Sequence, residues 1–418
     1  MVIDSPPALM AVEEALQIII SCATQKRVGD EVVPVWQGNG HILRCDVVAR
    51  VSNPIADVSA MDGYALRFAD VGKVTAFTVS GCSRAGKPWD KDIGGGLNDL
   101  LTGQAIEIFT GGILPNNTDT VIPLENTLMQ STNEFTLNTQ NCQYEQYIRS
   151  KGADFSIGDV VVKAPTLLYS RLLSLIAAAN CPYVNVSRSV RVALLSVGDE
   201  LIFPGDPPDP LRSLHTIPSS NAIGLKAMLA ARGVEVAVFP VIPDREKELV
   251  EALSSALEYD LIITTGGAWL STYDCVVEAI AKIGGVFHVR GVAMRPGKPF
   301  SFAELDSTLI ACLPGNPVSA LVCGHVMLMP VIDALQGLPC TPVQKKLIPL
   351  ATSLPANGGN IHYMRAALEV TPFGLQCRPF ENQDSAMLSV LANADVLAVR
   401  PPFSPPSAVG DAIPIIPL

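Results

Sequence analysis

The sequence predicts a multidomain α/β protein whose central domain is a doubly wound, mostly parallel sheet. Between residues 191 and 330, short apolar runs alternate with helical patterns, an arrangement typical of parallel strands connected by covering helices. The apolar runs lie at 192–197, 234–241, 261–264 and 309–313. The helical patterns begin near 221, after 244, after 274 and at 317.

Length and composition limit the possible classes of protein. The 418 residues are too many for one core and predict roughly two to four domains. A hydrophobic content of 48% with 17% charged residues predicts an ordered globular chain. The 29 basic and 40 acidic residues give a net charge of −11, which argues against nucleic acid as a partner.

The cysteines and the N-terminus predict a cytoplasmic protein. The ten cysteines show neither a CxxC pair nor a Cys/His cluster at zinc spacing, so we expect reduced thiols in a reducing compartment. The N-terminus lacks a basic segment followed by an apolar core, and no apolar run is expected to reach membrane-spanning length. We therefore expect no association with a membrane.

The first part of the chain predicts two domains, one inserted into the other. Residues 8–24 have the apolar spacing of an amphipathic helix, whose stripe requires a partner: most simply another helix of the same domain or of a second subunit. Residues 51–147 change to short β-type pieces separated by Gly, Pro, Asn and Asp. We predict a discontinuous N-terminal domain of residues 1–50 and 148–182, interrupted by a β-rich domain of residues 51–147.

Two further domains follow. Residues 183–332 form the predicted sheet domain, in which Ser219 or Ser220 caps a helix ending at Gly233, and Asp244 caps the next. Asp260 begins a strand, so it is expected at the opposite edge of the sheet and is rejected as a site residue. Residues 333–418 are Pro-rich and β-like, which predicts a small C-terminal β-barrel-like domain.

A candidate site is predicted at the carboxyl ends of the central strands, where parallel sheets bind their ligands. Glu200 and Asp244 follow neighbouring strands, and two carboxylates at one edge suit Mg²⁺ held against substrate phosphates. Gly266 and Gly267 follow another strand. Their lack of a side chain lets the backbone approach a ligand, and amides at the next helix N-terminus can bind phosphate.

Two proline-containing turns add to this site. Met294-Arg295-Pro296-Gly297-Lys298-Pro299 holds two cations on a rigid turn, which suits an anion. Pro314 and Pro317 enclose a turn at a strand end, whereas a simple helix start needs only one proline. The residues alone therefore predict a Mg²⁺-assisted site for a phosphate-bearing ligand and leave the substrate open.

Six segments together resemble a known family. They are SAMDGYA at 59–65, Thr110-Gly111, GDEL at 198–201, the Thr-Gly-Gly turn at 265–267, RPGKP at 295–299 and LPGNPVSA at 313–320. Alone, Asp62-Gly63 and Thr110-Gly111 are ordinary turn sequences. In this order and at these separations, the segments resemble the MoeA-type molybdopterin molybdenumtransferases, which include the E domain of gephyrin. The resemblance covers essentially the whole chain.

The resemblance implies the last step of molybdenum cofactor assembly. Such enzymes take adenylylated molybdopterin and molybdate as substrates, insert the metal at the dithiolene and release AMP with Mg²⁺ present. It also implies an elongated homodimer of four-domain subunits, which contact each other through the discontinuous N-terminal domain. The sheet domain of each subunit is then the molybdopterin-binding domain. Other proteins of cofactor biosynthesis, or acceptor proteins, are further expected partners.

The resemblance also assigns roles to individual residues. The implied catalytic residues are Asp62, Thr110, Glu200, Asp244 and Asp274, of which Glu200 and Asp244 hold Mg²⁺. The implied substrate-binding residues are Asp154, Gly266, Gly267, Arg295, Lys298, Pro314 and Pro317. Asp62 and Thr110 are expected to act across the dimer interface on the sheet domain of the other subunit.

The chain departs from the family pattern at one loop and one helix start. The family loop runs Gly-Gly-Val-Ser-Val-Gly-(Asp/Glu). In this chain Trp269 replaces the small hydroxyl residue, Ser271 the glycine and Thr272 the final acid, and Ser219 replaces a usual Asp ahead of a helix. The alternative hypothesis is therefore a catalytically weakened paralogue that binds molybdopterin or serves as a scaffold or delivery protein. An adenylyltransferase would explain residues 191–330 but neither SAMDGYA nor the β-rich tail.

Overall fold

The computed structural model describes residues 8–89, 99–138, 142–206, 215–267, 275–339, 346–372 and 374–418. The N-terminal part contains α1 (Val12–Gln25), β1 (Asp30–Pro34), β2 (Ile42–Leu43), β3 (Val47–Val48), β4 (Val58–Ser59), β5 (Gly63–Leu66), β6 (Phe77–Ser83), β7 (Gln104–Ile108), β8 (Thr120–Pro123), β9 (Thr127–Ser131), β10 (Glu134–Leu137), β11 (Ile148–Arg149), β12 (Val160–Val162), β13 (Thr166–Leu167), α2 (Ser170–Ala178) and β14 (Tyr183–Ser187).

The central part contains β15 (Arg191–Ser196), β16 (Leu201–Ile202), β17 (Ile217–Pro218), α3 (Ser220–Ala230), β18 (Glu235–Val238), α4 (Glu246–Ser255), β19 (Leu261–Thr265), α5 (Cys275–Lys282), β20 (Val286–Arg290), β21 (Met294–Arg295), β22 (Ser301–Leu305), β23 (Thr308–Leu313), α6 (Pro317–Cys323) and α7 (Met329–Leu335). The C-terminal part contains β24 (Lys346–Pro349), β25 (Ile361–Thr371), β26 (Gly374–Pro379), α8 (Leu388–Ala392), β27 (Val396–Arg400) and β28 (Ala412–Pro417).

Two sheets make up most of the N-terminal part. Strands from both sides of the 51–147 segment pair in the order β1-β14-β2-β13, and the segment itself holds a six-stranded sheet in the order β8-β5-β7-β6-β10-β9. Gly63 lies where β5 passes close to β8: a Cβ there would lie 2.0 Å from the carbonyl oxygen of Ile122. The glycine of the SAMDGYA motif is therefore required by backbone packing.

The central sheet has the order β18-β15-β19-β23-β22-β20. Its first four strands are parallel, so their carboxyl ends meet at one edge, as the sequence predicts. The last two strands, β22 and β20, form an antiparallel edge that the sequence analysis did not anticipate. Buried residues of α1, α3, α6 and α7 pack on one face and those of α4 and α5 on the other, which makes the sheet doubly wound.

The apolar stripe of α1 has a different partner from the ones expected. Val12, Ala15, Ile19 and Ala23 are buried in the same core as α7 and the central strands. The helix therefore packs on the central sheet unit of its own chain, rather than on a helix of the discontinuous N-terminal domain. The sequence could show that a stripe existed but not which surface covers it.

The last helix of the central unit is long and apolar enough to reach membrane-spanning length, contrary to the prediction. Residues 317–335 form one continuous helical segment, with a π-helical stretch at Gly324–Leu328, and its mean hydropathy of 1.8 would suit a membrane span. However, 72% of its most apolar window is buried inside the protein. The segment is therefore a core helix of the sheet unit.

The C-terminal part forms a sheet in the order β21-β25-β27-β28-β24, with β26 paired to β25. Its first strand, β21, comes from the central part of the sequence and pairs in parallel with β25. Ile361, Tyr363, Leu397 and Val399 of this sheet join the same core as α1, α6 and α7. The C-terminal sheet thereby shares a core with the helices on one face of the central sheet.

Candidate functional site

A cavity of about 690 Å³ lies at the carboxyl edge of the central sheet. Four strand-end loops line it, and they carry six of the residues that the sequence analysis assigned to the site. From the loops after β15, β18, β19 and β23, these are Glu200, Asp244, Gly266, Gly267, Pro314 and Pro317. Parallel pairing brings them together, because each loop leaves the sheet at the same edge.

The turn after β15 positions Glu200. A Cβ at Gly198 would lie 2.7 Å from the Glu200 carboxylate, so the glycine leaves the space which that carboxylate occupies. The next residues form β16, and the Ile217 N–H donates to the Glu200 carbonyl oxygen at 2.8 Å. The backbone of Glu200 is thus held between the central sheet and the small β16–β17 ladder.

Asp244 does not cap its helix, contrary to the prediction. The N-cap of α4 is Arg245, and its side chain makes no capping hydrogen bond. The Asp244 carboxylate instead accepts the Asp199 N–H at 3.2 Å and lies 3.7 Å from the Cys275 thiol, which donates to it. These contacts tie the β18 loop to the β15 loop and hold both acids, Glu200 and Asp244, at one cavity.

The two glycines after β19 have left-handed backbones, with φ of +91° at Gly266 and +60° at Gly267. A Cβ at Gly266 would lie 2.2 Å from the carbonyl oxygen of Val197, and one at Gly315 would lie 3.5 Å from the Gly266 Cα. The β15 and β19 loops therefore approach each other at Gly266 more closely than any residue with a side chain permits, and the β23 loop lies in ordinary van der Waals contact with them.

We expect Gly266→Ala to lower the free energy of unfolding by roughly 1–3 kcal/mol, because it combines a left-handed backbone with a clash against the backbone of Val197. Urea denaturation of the full chain measures the change. Gly358→Ala is the matched control, since a Cβ there meets nothing within 4 Å. Equal unfolding midpoints for the two variants would contradict the close approach of these loops.

The turn after β23 starts α6 and connects to two neighbours. Pro317 occupies the first turn of α6, where a missing N–H is tolerated. The Asn221 side chain donates to the Gly315 carbonyl oxygen at 2.8 Å, and the Asn316 side chain donates to Ser385 Oγ at 3.2 Å. The second contact joins the central site to the C-terminal part of the chain.

A second cavity of about 720 Å³ adjoins the first and holds the cationic turn. Arg295 and Lys298 line it, and the two cavities share Pro299 and Asn316. The opposite wall is residues 381–385 of the C-terminal part, which the sequence analysis did not assign to the site. The cations and the two acids thus lie in neighbouring compartments.

Arg365 lies directly behind this wall and was missed from the sequence. Its side chain is fully buried, and its Nη2 donates to the Asp384 carbonyl oxygen at 3.1 Å. Its Nε and Nη1 have no hydrogen-bond partner in the described structure. Burial, and then repulsion from Arg295, lowers the pKa of the guanidinium. An arginine within the apolar strand β25 was the available signal.

His362 belongs to the same cationic cluster. Burial lowers the pKa of its imidazole to about 4, with further lowering by Arg295, Arg365 and Arg400. The ring is therefore neutral at physiological pH. Unpaired, buried arginine N–H groups beside two further cations form an environment that favours a bound oxyanion.

Asp62 and Thr110 pair with each other and line neither cavity. The backbone N–H and the hydroxyl of Thr110 both donate to Asp62 Oδ1, at 2.7 and 2.8 Å. These two bonds, the backbone one first, lower the pKa of the Asp62 carboxyl. Because the folded protein binds this proton less tightly, ionised Asp62 stabilises the fold. That stabilisation is complete when the pH is above the ordinary carboxyl pKa of about 3.9, and it is lost as the pH falls through the lowered pKa of Asp62.

We expect Thr110→Val to raise the pKa of Asp62 part of the way toward its ordinary value, because the hydroxyl bond is lost while the backbone N–H bond remains. NMR titration of the carboxyl carbon measures the shift. Thr118→Val is the control, since the Thr118 hydroxyl donates to the carbonyl oxygen of Pro115 instead of an acid. An unchanged Asp62 titration in Thr110→Val would show that the hydroxyl has no part in holding this carboxylate.

The remaining predicted residues lie elsewhere. Asp154 accepts the Asn53 side-chain N–H at 3.0 Å beside the Asn53–Phe155 bridge and lines neither cavity. Asp274 and the residues Trp269, Ser271 and Thr272 lie outside the described residues. Asp260 is at the start of β19, paired through both carboxylate oxygens with Arg188, at the edge expected for it.

Ser219 does start α3, as predicted, but its hydroxyl makes no capping bond. Instead it donates to Ser196 Oγ at 3.0 Å, and both side chains are buried. Ser196 ends β15 immediately below the loop that carries Glu200. The serine thus completes a local hydrogen bond beneath the site.

All three parts of the chain match known family regions. Residues 10–180 match the MoeA N-terminal region (domain I and II), residues 193–334 match a probable molybdopterin binding domain, and residues 348–418 match the MoeA C-terminal region (domain IV). A solved molybdopterin biosynthesis MoeA protein from Pyrococcus horikoshii OT3 has a TM-score of 0.79 at 22% identity, covering 98% of this chain and 100% of that one. The predicted multidomain α/β fold is confirmed.

Two proteins named molybdopterin molybdenumtransferase are closer in sequence. The one from Nostoc sp. (strain PCC 7120) is 35% identical over 319 residues, which cover 74% of this chain and 70% of the relative. The one from Haemophilus influenzae is 33% identical over 308 residues, which cover 73% of each chain. With its strand-end loops assembled at one edge of the sheet and this similarity along most of its length, the chain belongs to the molybdopterin molybdenumtransferase family.

Proposed function

We propose that this chain performs the last step of molybdenum cofactor assembly, inserting molybdate into adenylylated molybdopterin and releasing AMP with Mg²⁺ present. Family membership supports the broad function, molybdenum cofactor biosynthesis. The observation that carries the finer proposal is the adjoining pair of cavities, joined at Pro299 and Asn316. The first holds the carboxylates of Glu200 and Asp244, and the second holds the cationic turn of Arg295 and Lys298.

The donor set of the first cavity fits Mg²⁺. Glu200 and Asp244 offer hard carboxylate oxygens, and none of the ion pairs among the described residues involves either of them. Mg²⁺ is commonly bound by one or two carboxylates together with substrate phosphates. Bound there, Mg²⁺ would neutralise the negative charge that develops on phosphate oxygens.

The second cavity fits the oxyanion substrate. Arg295 and Lys298 supply positive charge at its surface, opposite a wall that includes Glu381 and Asp384. Arg365 adds positive charge from directly behind this wall, and its Nε and Nη1 have no hydrogen-bond partner among the described residues. Molybdate is a tetrahedral dianion that accepts several such hydrogen bonds. We assign molybdate to this cavity and the nucleotide phosphates to the neighbouring one, where Gly266 and Gly267 allow the backbone to approach them.

We extend the proposal to a homodimer in which Asp62 and Thr110 act on the cavities of the other subunit. The support is the exposed, mutually bonded position of this pair, away from the two cavities of its own chain. Mixing experiments test this arrangement. If Asp62→Ala and Glu200→Ala subunits are each inactive alone, co-refolded heterodimers should recover part of the activity. No recovery would argue that both residues serve the same subunit.

The direct test is single-turnover AMP release by the full-length chain. We expect release that requires molybdate and Mg²⁺ together, because the proposed step uses both cavities. If the intact protein binds adenylylated molybdopterin but releases no AMP, the binding or delivery protein becomes the better description. The pair of changes Trp269→Ser and Thr272→Asp then tests whether the loop alone limits turnover, in which case release should increase.

A further inference from the structure

Three metal-ligating side chains converge at the edge of the central sheet opposite the two cavities. Cys22 comes from α1, His288 from β20 and Glu304 from β22, and their ligand atoms all lie within 4.8 Å of one another. Glu304 pairs with Leu309 near the start of β23, whereas the cavity loops leave the other ends of the strands. The cluster is therefore separate from the proposed substrate site.

A β-bulge directs His288 toward this cluster. Phe287 pairs with Ala303 and Val289 with Phe302, so His288 is the extra residue on its strand. A bulge redirects a side chain at the edge of a sheet. As a result, His288 Nε2 lies 3.2 Å from one carboxylate oxygen of Glu304.

Lys26 contacts the second carboxylate oxygen of Glu304. Its ammonium lies 2.7 Å from Glu304 Oε1 and also donates to the carbonyl oxygen of Asp306. Glu304 Oε2 is therefore the oxygen directed at His288, and the contact with Lys26 holds the carboxylate in that orientation. Metal-ligating carboxylates are commonly oriented by such an outer hydrogen bond.

An ordinary ion-pair network would explain why Lys26, Glu304 and His288 lie together, but it would not explain why the Cys22 thiol joins them. The site is also partly shielded: the His288 and Glu304 side chains are 32% and 30% exposed. A tetrahedral zinc site has ligand separations of about 3.3–3.8 Å, from metal–ligand distances of roughly 2.0–2.3 Å. Side-chain movements of about an ångström would bring the three ligands to that geometry.

We propose that Cys22, His288 and Glu304 form a Zn²⁺ site that joins the N-terminal helix to the edge hairpin of the central sheet. Sulfur, nitrogen and oxygen ligands together favour Zn²⁺ over Mg²⁺, which prefers oxygen alone. A water completes the tetrahedron. Cys22 lies 266 residues before His288, and His288 lies 16 residues before Glu304. The sequence alone therefore does not reveal the site, because the three ligands come together only in the folded chain.

The test uses the full-length protein after treatment with a chelator. We expect Co²⁺, as a spectroscopic probe, to bind at one equivalent and to give the near-ultraviolet charge-transfer band of a cobalt–thiolate bond. Zn²⁺ should displace it and raise the unfolding temperature. Cys22→Ser should abolish the band, and Cys45→Ser, at an exposed cysteine, should retain it.

His288→Gln provides a second variant in which the thiol is intact. It should bind Zn²⁺ at least ten-fold more weakly and lose the increase in unfolding temperature, with an unchanged circular dichroism spectrum without metal. A cobalt–thiolate band that persists in Cys22→Ser would overturn the proposal, as would the absence of stoichiometric binding by the parent protein. If Cys22→Ser does not fold, the His288→Gln titration decides: parent-like zinc affinity overturns the site, and weakened affinity supports it.

Discussion

Replacing Glu200 by Gln or Asp244 by Asn is expected to slow single-turnover AMP release on the order of 10²–10³-fold while leaving the fold intact. Each change keeps the size of the side chain and removes one negative charge from the proposed Mg²⁺ site. Both side chains line an open cavity instead of a packed core, so the structure tolerates the exchange. Quenched-flow measurement of AMP at saturating molybdate gives the rate.

Mg²⁺ dependence separates a metal ligand from a residue that acts in some other way. The Mg²⁺ concentration for half-maximal rate should rise in both variants, because one of the two carboxylate ligands is lost. Glu258→Gln is the control: it removes an acid that pairs with Arg191 on the surface, at the opposite edge of the sheet. A parent-like rate in either cavity variant would exclude that residue from the metal site.

The sequence predicted the central sheet because its strands are specified locally. The runs at 192–197, 261–264 and 309–313 correspond to β15, β19 and β23, buried strands with continuous apolar sequence. In a parallel sheet the carboxyl ends of the strands lie at one edge. The sequence was therefore enough to place the loops with Glu200, Asp244 and Gly266 together. Turn glycines were recognisable for the same reason, since their backbone requirement is local.

Features that depend on pairing between distant segments could not be predicted in this way. Strand β21 carries Arg295, yet its neighbour is β25, so the cationic turn faces residues 381–385 across a cavity. Nothing in the periodicity of either segment encodes that pairing. The partner of the α1 stripe was missed for the same reason. Asp244 was misassigned as a cap because a carboxylate before a helix fits the capping pattern equally well.

Arg365→Met is expected to weaken molybdate binding roughly 10- to 100-fold, corresponding to the loss of a charged hydrogen bond worth about 1.5–3 kcal/mol. Methionine is a long, flexible apolar side chain that can fill much of the buried volume. Isothermal titration of the full-length protein with molybdate or tungstate measures the affinity. Because Nε and Nη1 of Arg365 are buried with no partner among the described residues, their removal relieves a desolvation penalty and offsets part of the lost bond to Asp384.

A second buried arginine of the same sheet provides the matched control. In Arg400, Nη1 donates to Ser407 Oγ at 2.6 Å, and Nη2 donates to the carbonyl oxygens of Pro355 and Pro405. Arg400→Met should therefore lower the free energy of unfolding more than Arg365→Met does, since it leaves several buried acceptors unpaired, and should change molybdate affinity less. The opposite pattern, with Arg365→Met the more destabilised variant and molybdate affinity unchanged, would make Arg365 a structural residue. If Arg365 serves to bind an anion from solution, its replacement should reduce molybdate affinity more than it reduces the free energy of unfolding.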